Sequence, residues 1–170
     1  GAKYGKIVTL DTGHFHLTES IADKISSLLL FTPEIMLHVS RPIRWDSDHV
    51  VILSDELTDL AREVIRSKAL DRVHIGLDYF DATINRIGAY VIGTRATQKA
   101  FLMALLEPSS TLQGYEDTGR YFQRLALSEE LKSLPWQAVW DMFCEQQGVP
   151  VGESYIAEIE RYEHEVTSKR

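Results

Sequence analysis

A single cysteine, Cys144, occurs in 170 residues. That scarcity excludes an internal disulfide framework and suits a reducing cytoplasm. Cys144 sits between Phe143 and Glu145 in a helical pattern, where a buried structural thiol is expected. No apolar run approaches the ~18 residues of a membrane-spanning helix, and no basic-then-apolar leader opens the chain. A soluble, cytoplasmic protein with no membrane partner is the expectation. Basic side chains are in the minority, 18 Lys and Arg against 25 Asp and Glu, for a net charge of −7. Nucleic-acid surfaces need basic stripes, so no nucleic-acid partner is expected. Low-complexity segments and Gly/Ser linkers are also lacking. The remaining composition, 44% hydrophobic and 25% charged, is that of a globular chain long enough to bury a core.

What is present is a repeated theme of apolar strand, polar loop and helix. The first strand is Lys6-Ile7-Val8-Thr9-Leu10-Asp11. A helix follows from about Thr18, which can cap it, through Ile21, Ile25, Leu28 and Leu29. The second strand is Ile35-Met36-Leu37-His38-Val39-Ser40. A polar loop from Arg41 to His49 leads to the short apolar run Val50 to Leu53. Ser54 then caps a helix whose first turn holds Asp55 and Glu56, matched to the positive end of the helix dipole. Its stripe is Leu57, Leu60, Ala61, Val64 and Ile65. The third strand is Arg72-Val73-His74-Ile75-Gly76-Leu77-Asp78, followed by a helix over 84–106 that ends before Pro108. Strands alternating with helices predict a parallel α/β sheet. Beyond residue 108, Trp136, Val139, Trp140 and Phe143 repeat with helical spacing, as do Tyr155, Ile159, Tyr162 and Val166. The expected organisation is therefore 1–108 as strand–helix units carrying the site and 109–170 as a helical C-terminal extension used for packing.

Alternation along a strand separates its two faces. Val8 and Leu10, Leu37 and Val39, and Val73, Ile75 and Leu77 make apolar faces for outer helices. The opposite faces lead to Asp11, to His38 and to Asp78, at or near the strand C-terminal ends, where α/β barrels build their active sites. The following loops add His14, three residues after Asp11, and Asp46 and Asp48, two residues apart. Carboxylates mixed with imidazoles suit Mn²⁺, Zn²⁺, Co²⁺ or Fe²⁺ better than Ca²⁺. Each residue alone has a plainer reading: a strand-end Asp as a turn cap, Asp-x-Asp as a solvated turn, His38 as a hydrogen-bonded core histidine. Three successive strands delivering such residues to one end favour a metal site. His16 and His49 are weaker candidates, expected to support the site or to face solvent. His74 lies one layer below Asp78 and reads as an interior filler.

Several runs resemble L-rhamnose isomerase. They are Thr9-Leu10-Asp11-Thr12-Gly13-His14-Phe15-His16, Leu37-His38-Val39-Ser40-Arg41-Pro42, Arg44-Trp45-Asp46-Ser47-Asp48-His49 and Ile75-Gly76-Leu77-Asp78. Ile84-Asn85-Arg86, Val91-Ile92-Gly93-Thr94-Arg95 and Leu105-Leu106-Glu107-Pro108 continue the resemblance, which extends over essentially the whole chain. It implies the C-terminal portion of a TIM (β/α)₈ barrel, about three βα units, with the helical extension, in a homotetramer. It implies two divalent-metal sites, commonly Mn²⁺, with Zn, Co or Mg as alternatives. Asp11, His38 and Asp78 match the site usually termed structural; His14, Asp46 and Asp48 match the catalytic metal site. The implied reaction interconverts L-rhamnose and L-rhamnulose by moving hydrogen between C1 and C2, as a metal-assisted hydride shift or as proton transfer through an enediol. A complete family member also carries an earlier stretch with the other barrel strands, a Glu bridging both metals and a Lys near the substrate. None of these is in this chain, so the isolated 170 residues are expected to be inactive. Two other readings stay open: a non-catalytic metal-binding or assembly fragment, and another sugar isomerase or epimerase on the same scaffold.

Overall fold

The structure is a computed structural model that describes residues 1–16, 18–42, 49–79 and 83–170. Asp46 and Asp48 therefore lie outside the described residues. The chain divides into two compact units, Gly1–Leu105 and Leu106–Arg170.

The first unit is built on β1 (Val8–Asp11), β2 (Ile35–Val39) and β5 (Val73–Leu77), which form a parallel sheet in that order. Between them run α1 (Ala22–Leu29), the two-residue strands β3 (Arg41–Pro42) and β4 (His49–Val50), and α2 (Asp55–Arg66). The helix α3 (Arg86–Leu105) follows. This is a parallel α/β layer compatible with part of a TIM barrel.

Boundaries follow from available partners. The first strand begins at Val8, two residues later than the expected start at Lys6, because the ladder starts where Val8 faces Ile35. The first helix begins at Ala22 and is not capped by Thr18. The Thr18 amide and hydroxyl are instead both engaged with His16 Nδ1, and Ser20 Oγ accepts from the Asp23 amide. Ser54 does cap α2, accepting from the Leu57 amide at 3.3 Å. Asn85 accepts from the Gly88 amide at 2.9 Å where α3 begins. The expected polar loop, Arg41 to His49, lies mostly outside the described residues; at its two ends β3 and β4 pair antiparallel, with Pro42 opposite His49.

The apolar sheet face buries Leu10, Ile35, Leu37, Val39 and Val73 against Ile25 and Leu29 of α1 and Leu57, Leu60, Ala61 and Val64 of α2. The helix α3 adds only small buried side chains, Ala96, Ala100 and Ala104, which let its backbone approach closely. Each fully buried Leu, Ile or Val stabilises by about 1.5–3 kcal/mol relative to exposure, so this face anchors the unit. Arg72 fastens one corner: its guanidinium donates to the carbonyls of Leu29, Thr32 and Pro33 past the end of α1. The other face holds Thr9, Met36, His38 and His74. His74 does not pack there as a filler; it is exposed, with Nε2 2.5 Å from Glu34 Oε2.

The second unit contains α4 (Ser109–Asp117), α5 (Tyr121–Lys132), α6 (Trp136–Gln147) and α7 (Tyr155–Glu165), with no strand among the described residues.

Candidate metal centre

Register decides which side chains meet. Asp11 pairs with His38, and His38 pairs with Gly76, so these three form one row across the sheet. Gly76 contributes no side chain; a Cβ there would lie 2.9 Å from Met36 Cε and 3.8 Å from His38 Cδ2. Asp78 follows two residues later, on the same face, and its amide donates to Val39 O at 3.0 Å. The ladder therefore holds the Asp78 backbone just past the strand end.

Asp11, His38 and Asp78 offer one ligand atom each, all within 4.8 Å of one another. Asp11 Oδ2 lies 2.9 Å from His38 Nδ1, and Asp78 Oδ1 lies 3.7 Å from His38 Nε2. The imidazole stands between two carboxylates. His14, in a 3₁₀ turn over Thr12–His14, brings Nε2 to 3.7 Å from Asp11 Oδ2. The turn is capped by Asp11 itself, whose Oδ1 accepts from the Gly13 amide at 2.9 Å. Two anionic oxygens and an imidazole, partly buried and converging, form a donor set that fits a divalent cation. The described sequence candidates Asp11, His14, His38 and Asp78 lie together.

Further residues adjoin the cluster. His49 is fully buried, with Nδ1 3.1 Å from Asp78 Oδ2 and 3.0 Å from Ser40 Oγ. His16, by contrast, is exposed, and its ring bonds locally to Thr18. Ser40 is tied to Thr12 twice, donating its amide at 2.9 Å and accepting the Thr12 hydroxyl at its carbonyl. The ends of β1 and β2 are thereby locked beside the cluster. Tyr79, absent from the sequence candidates, directly follows Asp78. Its hydroxyl donates to Tyr90 O at 3.3 Å, and its ring stacks edge-on against Tyr90 at 4.4 Å. Burial pushes the Tyr79 phenol up to about 12, with a hydrogen bond to Thr94 acting the other way. The missing side chain at Gly93 was its only legible trace: the Tyr79 hydroxyl fills the space a Cβ would take.

The family profile described as L-rhamnose isomerase (RhaA) matches residues 1–170. An L-rhamnose isomerase of Bacteroides thetaiotaomicron is 68% identical over 170 residues, covering 100% of this chain and 41% of that protein. One from Mannheimia succiniciproducens is 58% identical over 166 residues, 98% of this chain and 40% of the relative. One from Escherichia coli O127:H6 is 57% identical over 161 residues, 95% and 38% respectively.

Proposed function

The chain belongs to the L-rhamnose isomerase family, and we propose that it supplies the metal-holding residues of an enzyme interconverting L-rhamnose and L-rhamnulose. The observation that carries this reading is the convergence of Asp11, His38 and Asp78 from three successive parallel strands. In this reading they hold one divalent ion, while His14, Asp46 and Asp48 hold a second beside the sugar. A bound ion would polarise the sugar carbonyl and stabilise the charge that develops as hydrogen moves between C1 and C2.

The protein's own part is orientation. The Gly13 amide pins one oxygen of Asp11 and leaves the other facing the cluster. The Thr12–Ser40 bonds fix the distance between the two strand ends that carry Asp11 and His38. Mn²⁺ suits this mixed donor set, with Zn²⁺, Co²⁺ or Mg²⁺ as alternatives. The partner is a small sugar; a cytoplasmic homotetramer is the proposed setting. No helix among the described residues is long and apolar enough to cross a membrane.

The chain spans 41% of the length of the Bacteroides relative, and among the described residues its three-stranded sheet leaves β1 and β5 each with one neighbour. Catalysis needs a substrate held in an oriented, water-excluded site, so the 170 residues assayed alone are expected to be inactive. The direct test is Asp46→Asn in the complete protein, assayed for L-rhamnose isomerisation. The substitution keeps side-chain size and removes a charged ligand, and activity should fall by more than about 100-fold. Ser67→Ala, at the end of α2, should leave turnover unchanged; near-full activity of Asp46→Asn at limiting metal would refute the assignment.

A further inference from the structure

We propose that His49 is a positioning residue for the metal centre, holding Asp78 so that one of its carboxylate oxygens faces His38. The proposal rests on reading Asp11, His38 and Asp78 as ion ligands. The two carboxylates of that triad share one plan. Asp11 gives Oδ1 to the Gly13 amide at 2.9 Å and turns Oδ2 toward His38. Asp78 gives Oδ2 to His49 Nδ1 at 3.1 Å and turns Oδ1 toward His38. In each, one oxygen is tied back and the other is presented to the shared imidazole. For Asp11 the tie is backbone, built into the turn. For Asp78 it is a side chain, which makes its contribution measurable by substitution.

The setting of His49 is specific. The residue is 0% exposed, and Ser40 Oγ lies 3.0 Å from the same Nδ1. Room for the ring comes from Gly13, where a Cβ would lie 2.6 Å from His49 Cε1 and 2.6 Å from Ser40 Oγ. An ionised carboxylate can only accept, so His49 Nδ1 carries its hydrogen toward Asp78. A carboxylate pinned at one oxygen has less rotational freedom left to lose when the other takes up an ion. A histidine serving only to fill space has no need to aim Nδ1 at two oxygens.

The test is Mn²⁺ affinity of the complete protein, read by electron paramagnetic resonance of the free ion, with metal-free melting temperatures measured alongside. Asn places its side-chain nitrogen where imidazole has Nδ1; Gln places it where imidazole has Nε2. His49→Asn should bind within about threefold of the parent, and His49→Gln should bind roughly 10–100-fold more weakly. Equal affinities for the two variants would overturn the proposal, whether both are tight or both weak. A ¹⁵N-histidine spectrum of the unsubstituted protein decides independently of variant folding: hydrogen on His49 Nδ1 supports the role, and hydrogen on Nε2 alone refutes it. Asp78→Asn separates this proposal from the reading beneath it. Parental affinity in Asp78→Asn would refute the ion-ligand reading itself. Loss there with full retention in His49→Gln would remove only the role of His49.

Discussion

Residues 1–105 and 106–170 both carry apolar residues at helical spacing, yet the two units bury them very differently. In the first, the stripes of α1 and α2 end up beneath one sheet face, with Ile21, Ile25, Leu60 and Val64 fully enclosed. In the second, only Leu112, Trp140 and Cys144 are buried, while Phe122 is 78% exposed and Met142 59%. A parallel ladder joins residues distant in sequence into one continuous apolar floor, so every helix laid on it covers the same surface. Helices strung in series have no such floor. Periodicity therefore identifies the helix in both units but foretells its burial only where strands supply the other half. The same sheet that organises the core also delivers the candidate ligands, so stability and chemistry in the first unit share one scaffold.

Substitutions can sharpen or break this contrast. Leu60→Ala removes a fully buried side chain between helix and sheet and should cost about 2–5 kcal/mol by thermal or denaturant unfolding. Gly93→Ala should cost less, about 1–3 kcal/mol. Alanine's better helix propensity offsets roughly 0.5–1 kcal/mol, but the new methyl must displace the Tyr79 hydroxyl. Phe122→Ala, in the helical unit, should change stability by no more than about 0.5 kcal/mol. A loss from Phe122→Ala approaching that of Leu60→Ala would show that the second unit's apolar face is covered in the folded protein, and the contrast would fail.

Legibility in the sequence followed the same division. Alternation assigned Asp11, His38 and Asp78 to the face opposite the core, because a two-residue period leaves no other choice once the apolar face is known. It could not supply register, and register is what set Asp11 and Gly76 on either side of His38. The cap at Ser54 was readable since nothing competes for its hydroxyl in the pattern; Thr18 failed as a cap because His16, two residues back, takes its groups. The stripe Trp136, Val139, Trp140 and Phe143 was read correctly as helical, yet only Trp140 of the four is buried. His49 and Tyr79 gain their positions through contacts with residues far along the chain, Asp78 for one and Tyr90 and Gly93 for the other. No spacing rule encodes such contacts, although Gly13 and Gly93 mark where each ring needs room.

The central claim is that Asp11, His38 and Asp78 together hold a divalent ion. Crystals of the complete protein grown with Mn²⁺, measured for anomalous scattering, test it most directly. The account predicts a peak with one oxygen of Asp11, one oxygen of Asp78 and a His38 nitrogen about 2.0–2.4 Å away. Mn²⁺ bound elsewhere in the protein, with no ion within coordinating distance of these three side chains, would contradict it.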